Sequence, residues 1–215
     1  MLQDGVADYG PLEIQKLGVE YLEAHQHHKR FRGGLSKPSV EFLATLVGAH
    51  HAASILDYGS GKGRQYVQSD AHSPARQQHL PWGVVPVCYD PGVPGLLVKP
   101  TYKFDGVICT DVAEHIPESC IDWFLIDVLS YVGKFAFMSI ACDPSRKTLP
   151  SGTNTHLTVK EPMWWRERIV AALRVLHPDY TFDISPTDKV EGYHWLSQRF
   201  ELVVLFTRNL RLKGV

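Results

Sequence analysis

The stretch Asp57-Tyr58-Gly59-Ser60-Gly61-Lys62-Gly63 sets three glycines at alternate positions behind an acid. It follows the apolar pair Ile55-Leu56, so the chain is expected to leave a buried strand and turn into a helix starting near Gly61 or Lys62. Glycines at such a turn let backbone amides approach a bound group whose volume a side chain would occupy. Spacing then separates the loops that work this way. A Walker A loop needs a glycine, four residues, and Gly-Lys-Ser/Thr; here Leu56 stands five residues before Gly61, and Gly63 follows Lys62. The dinucleotide fingerprint Gly-x-Gly-x-x-Gly/Ala wants a small residue where Arg64 stands, which disfavours NAD or FAD.

Two further acids end apolar runs: Asp90 in "VCYDPG" and Asp111 in "FDGVICTDVAEHIPE". With the loop of Asp57, Gly59, Gly61 and Gly63, and in this order, they resemble the class I S-adenosylmethionine-dependent methyltransferases over about Ile55 to Glu118. The resemblance implies S-adenosyl-L-methionine as cofactor, with the glycine amides close to its methionine and ribose portions. It also implies that Asp90 accepts both ribose hydroxyls, that Pro91 packs on the adenine, and that Asp57 and Asp111 lie near the amino group or the sulfonium, where negative charge favours a cation. Blander roles stand beside these: Asp90 as a turn-forming acid before proline, and Asp111 as the cap of a short helical turn. The span between Asp90 and Phe104 is too short for the helix and full third strand usual in that family, and it offers no acid for the adenine.

Methyl transfer from a sulfonium needs positioning, exclusion of water, and a base when the acceptor is a hydroxyl or ammonium group. Base candidates are Asp111, Glu114, His115 and His156. His115 ranks first because imidazole titrates near neutral pH, with a capping or packing role as its alternative. His156, with Asn154, sits in "SGTNTHLTVK", a loop that could border the acceptor. Trp164 and Trp165 read as core. The histidines of "HQHHK" (His25, His28) and "AHH" lack a spaced third ligand, so no metal site is expected.

The function this implies is methyl transfer to a small-molecule or sugar-like acceptor, giving S-adenosylhomocysteine. A lyase or cyclase of the same fold, releasing methylthioadenosine, is the first alternative. A non-catalytic cofactor-binding or interaction protein is the second.

Helices are predicted from about Pro11 to His28 and in "KPSVEFLATLVGAH". Strands follow in "SILDYG", "GVVPVCYD", "FDGVICTD" and "GKFAFMSIAC", with a short apolar piece "GLLVKP" and a polar loop from Ser69 to Pro81. Helices are expected from Pro117 to about Tyr131 and in "KEPMWWRERIVAALRVLH", then a hairpin of "YTFDIS" and "RFELVVLFTR". This alternation predicts a doubly wound α/β domain with a mostly parallel sheet and a C-terminal antiparallel hairpin strand. One domain is expected, with residues 1–50 as a helical lid carrying Tyr9, Tyr21 and Phe31, and residues 51–215 as a Rossmann-like core. Ligands of such sheets bind outside the carboxyl ends of the strands.

The chain has 215 residues, 44% hydrophobic and 21% charged, and a formal net charge of −1. That near-neutral balance gives no long-range pull on polyanions and speaks against nucleic acid as a main partner. No apolar run approaches the roughly 20 residues of a membrane span. The start "MLQDGVADYG" has no secretory pattern, and four cysteines without Cys-x-x-Cys spacing suit reduced thiols, so a cytoplasmic location is expected.

Overall fold

The computed structural model describes residues 10–27, 35, 37–63, 65–66, 81–149, 151–178 and 201–207. In order these form α1 (Leu12–His27), α2 (Lys37–Ala49), β1 (Ile55–Tyr58), β2 (Val87–Tyr89), β3 (Phe104–Thr110), α3 (Ile121–Ser130), β4 (Val132–Ala141), α4 (Pro162–Leu176) and β5 (Glu201–Thr207). The strands make one sheet in the order β2-β1-β3-β4-β5. Leu56 pairs with both Val87 and Val107 in parallel register, Phe137 pairs with Ile108, and β5 runs antiparallel to β4.

Alternation along the strands explains why both faces need cover. Leu56, Val107, Cys109, Ala136, Met138 and Ile140 join Phe124, Leu125 and Leu129 of α3 and Trp165 and Ile169 of α4 in one core cluster. Ile55, Ile108, Phe135 and Phe137 point the other way, into a cluster with Leu43, Leu46 and Val47 of α2. Side chains two apart share a face, so a strand apolar at every position requires helices on both sides. Hence α2, grouped with α1 as a lid in the sequence reading, covers the sheet. Helix α1 instead spans the carboxyl ends of the strands, as its contacts below show.

Helix α3 starts later than the sequence suggests. Pro117 is extended (ψ 142°) and caps a 3-10 turn at Glu118–Cys120, and the α-helix begins at Ile121. The Cys120 N–H donates to the Pro117 carbonyl at 2.8 Å, a tight turn that narrows the chain into the helix. By contrast Pro162 occupies the first turn of α4, where its missing N–H has no partner to lose.

The helix expected from Gly61 is not formed over the described residues that follow it. Gly63 N–H donates to Ser60 O and Tyr66 N–H to Gly63 O, two successive four-residue turns. The left-handed φ values of Gly61 and Gly63, both 57°, are incompatible with a right-handed helix. The piece "GLLVKP" is irregular, and between Asp90 and Phe104 neither a helix nor a strand occurs. The loop from Ser69 to His79 and Leu80, the segment "YTFDIS", and Tyr9, Phe31 and His28 lie outside the described residues. Among the described residues, no helix is long and apolar enough to cross a membrane.

Candidate functional site

The glycine loop and the end of β2 are built as one unit. Gly59 and Ser60 N–H both donate to the Tyr89 carbonyl, at 2.8 and 3.2 Å. The Asp90 carboxylate then takes the Gly61 N–H on Oδ2 and the Gly92 N–H on Oδ1, each at 2.8 Å. Asp90 is 9% exposed, and burial raises its pKa to about 6 although the two N–H groups act to lower it. A carboxylate offers roughly four acceptor positions, so two remain for a pair of hydroxyls. Asp90 is therefore a turn-forming acid and also a preorganised acceptor at a strand end.

Gly59 is left-handed (φ 81°), and a Cβ there would overlap the Val112 Cγ2 methyl while reaching 3.0 Å from Cγ1. A Cβ on Gly63 would come to 3.0 Å from the Cys88 sulfur. The loop thus packs against the residue after Asp111 on one side and against β2 on the other.

Asp57 is 3% exposed, with Oδ2 accepting from the Tyr66 hydroxyl at 2.7 Å and from the Gln65 amide at 3.2 Å. Burial raises its pKa to about 7; the two hydrogen bonds oppose that shift and the nearby Asp90 charge adds to it. In this arrangement Asp57 ties down the residues that follow the glycines. Gln65 and Tyr66 carried no periodic signal, so this pairing was not legible beforehand.

At the end of β3, Asp111 is exposed and left-handed (φ 55°), and its N–H donates to the Ser139 carbonyl at 3.0 Å. A non-glycine residue held in this region is a strained conformation of the kind that clusters at functional sites. The 3-10 turn Ala113–His115 that follows has Val112 as its N-cap and no side-chain cap bond, so Asp111 does not cap it.

That turn carries Glu114 and His115. Glu114 is 0% exposed, and its Oε1 accepts the Ala141 N–H at 3.2 Å. His115 Nδ1 lies 2.6 Å from the Thr155 carbonyl and 2.7 Å from the Tyr21 hydroxyl. His156 Nδ1 lies 2.6 Å from the Asp143 carbonyl. A carbonyl can only accept, which makes Nδ1 the protonated nitrogen in both rings and leaves the lone pair on Nε2. The two rings meet edge to face at 5.0 Å. Burial pushes His115 down to about 4, so it is neutral near pH 7 and a weaker base than its type suggests.

Asn154 holds the loop that delivers His156. Its Oδ1 accepts from the His156 and Ser145 N–H groups, and its Nδ2 donates to the Ser145 carbonyl at 2.8 Å. Helix α1 closes the assembly. A Cβ on Gly18 would lie 3.9 Å from the Pro91 carbonyl, and the Tyr21 ring stands edge-on to His115 at 5.7 Å. Burial raises the Tyr21 hydroxyl well above its ordinary range, and the charges of Glu114 and Asp90 add to the effect. Tyr21 thus senses both halves of the site. At its start, α1 is held by Glu13, which accepts from Ser119 Oγ and from Cys120 Sγ.

A cleft of about 280 Å3 runs between α1 and the chain from Leu149 to Leu157, lined among others by Glu13, Lys16, Glu20 and Leu157. Of the adjacent pair at the start of α4, Trp165 is wholly buried, while Trp164 is half-buried beneath Lys160 and Arg168. Neither lines the cleft.

The fold and site define an α/β domain whose glycine loop, four acids (Asp57, Asp90, Asp111 and Glu114) and two histidines lie at the carboxyl ends of the parallel strands of a mixed sheet. The chain matches no protein-family model and no curated protein sequence. Similar solved structures include the Burkholderia thailandensis 1,6-didemethyltoxoflavin-N1-methyltransferase with bound 1,6-didemethyltoxoflavin and S-adenosylhomocysteine, at 16% identity and a TM-score of 0.45, covering 96% of this chain and 93% of that one. A DhpI–SAH complex is similar at 15% identity and a TM-score of 0.48, over 93% of this chain and 98% of the other. The magnesium protoporphyrin IX methyltransferase from Synechocystis PCC 6803 with bound S-adenosylmethionine follows at 15% and 0.41, over 96% and 86%. Likeness at this level transfers no activity. The strand order of this chain, four parallel strands and an antiparallel fifth, is itself consistent with a class I methyltransferase-like fold.

Proposed function

We propose that this protein is an S-adenosylmethionine-dependent methyltransferase that acts on a small-molecule or sugar-like acceptor and yields S-adenosylhomocysteine, in the cytoplasm. The observation that carries the proposal is the Asp90 carboxylate, which bonds the middle glycine of the loop while keeping acceptor capacity for a vicinal diol. Three left-handed glycines beside it fit a group that must lie against backbone.

When bound, the cofactor supplies an electrophilic methyl group on a sulfonium. In this reading Asp90 holds the ribose, the amides of the Gly59–Gly63 loop and Pro91 line the remainder, and Asp111 adds negative charge at the mouth, where it favours a cation. Asp57 acts from behind, by fixing Gln65 and Tyr66 and hence the loop. Helix α1 excludes water, and Tyr21 and Thr155 orient His115. His156, fixed by Asn154 and Asp143, is the second imidazole on the acceptor side.

Mass spectrometry of the protein incubated with S-adenosylmethionine and pooled small hydroxylated acceptors tests this. S-adenosylhomocysteine formed only with an acceptor supports the proposal. Methylthioadenosine accumulating without any acceptor, beyond spontaneous breakdown, refutes it.

A further inference from the structure

We propose that Glu114, His115 and His156 form a binding site for a first-row divalent cation. One ligand atom from each residue lies within 4.8 Å of the other two, a spacing that a single ion can bridge. Two imidazoles and a carboxylate make a mixed nitrogen and oxygen set, which suits manganese, iron, cobalt or zinc better than magnesium or calcium.

What surrounds the three residues is the arrangement that metal ligands require. Each imidazole directs Nδ1 at a backbone carbonyl at 2.6 Å, Thr155 for His115 and Asp143 for His156, and so presents Nε2 as the electron-pair donor. Glu114 is oriented by the Ala141 N–H. Asn154 fixes the backbone on which His156 sits, and the Tyr21 hydroxyl backs His115. Glu114 and His115 are adjacent on one 3-10 turn, while His156 arrives from the loop after β4, so the fold brings together ligands from two segments. Glu114, wholly buried beside these two imidazoles, is also a place where a cation offsets the cost of burying charge.

Three protein ligands leave open coordination positions, the mark of a site that engages a further ligand rather than a closed structural one. Those positions take an oxygen donor, either water or an acceptor hydroxyl, whose proton the cation makes easier to lose. This last role rests on the methyltransferase reading; the metal site itself does not.

The test titrates metal-stripped full-length protein with Co2+, read by its visible absorption, and with Mn2+, read by calorimetry, without cofactor. The expected result is one equivalent bound with a micromolar or tighter dissociation constant, and at least a tenfold loss in His156→Gln, His115→Gln and Glu114→Gln, each checked for native circular dichroism. The double variant His25→Gln/His28→Gln should bind as the parent does. The inference is overturned if no binding occurs below 1 mM, if the three single variants bind unchanged, or if binding disappears only in the His25/His28 variant. Glutamine keeps much of the volume of each ligand. Should one of these variants still fail to fold, the other two decide. Cofactor binding measured in parallel separates failure of this site from failure of the methyltransferase reading.

Discussion

Gly59→Ala tests the coupling between the glycine loop and the chain after β3. Two costs add at this position. Alanine at φ 81° is a left-handed residue with a Cβ, worth roughly 1–2 kcal/mol. The new Cβ also overlaps Val112 Cγ2 and sits 3.0 Å from Cγ1 and 3.2 Å from Cβ, an overpacking cost of roughly 1–3 kcal/mol. The sum, roughly 2–5 kcal/mol, corresponds to a fall in Tm of roughly 4–20 °C for a chain of this size. Val112→Ala removes both offending methyls and, at a half-buried position, costs about 1 kcal/mol by itself. In the double variant the overlap is largely relieved while the backbone penalty stays. A double-mutant cycle by urea denaturation should therefore give a coupling of about 1–3 kcal/mol in favour of the pair. Additivity within about 0.5 kcal/mol would refute the contact, and with it the idea that Val112 forms one wall of the loop.

Asp90→Asn leaves one oxygen for two N–H donors, so either Gly61 or Gly92 loses its acceptor; a stability loss of about 1–3 kcal/mol is expected by denaturation. Asp57 should make stability depend on pH. Its folded pKa of about 7 lies above the ordinary 3.8, so between those values the folded state holds a proton that the unfolded chain releases. Stability from this group is complete below about pH 4 and is lost as pH rises through 7, by about 4 kcal/mol in all. Comparing denaturation at pH 5 and 8, Asp57→Asn should flatten the difference; an unchanged difference would place the titration elsewhere. Cofactor affinity should move the opposite way, strengthening from pH 5 to 7 as Asp90, with its pKa of about 6, ionises. Asp111→Gly removes the strained side chain, so stability should stay within about 1 kcal/mol of the parent while methyl transfer falls.

The strands and their two-faced burial were readable because apolar residues at successive positions, Ile55-Leu56 in β1 and Val107-Ile108-Cys109 in β3, leave little alternative to a parallel sheet covered on both faces. Asp90 was readable for the same reason, as an acid where an apolar run stops. Other features depend on contacts that local patterns do not encode. Tyr21 meets His115 across 94 residues, and no periodicity in α1 points to that pairing. Glu114, His115 and His156 were each visible as bases. Their convergence depends on the Asn154 clamp folding the later loop back beside the turn after β3. The stop after Gly63 was hidden as well, because glycine spacing marks a close approach without stating the hand of the backbone. Pro117 shows the limit on helix starts: proline suits both a first turn and the residue before one, and a 3-10 turn decided between them.

Calorimetric titration with S-adenosylhomocysteine, on the parent protein and on Asp90→Ala, bears most directly on the methyltransferase reading. Saturable binding to the parent, weakened more than tenfold by the substitution while the variant stays folded, is the predicted result. No binding to the parent, or equal affinity in the two proteins, would contradict it.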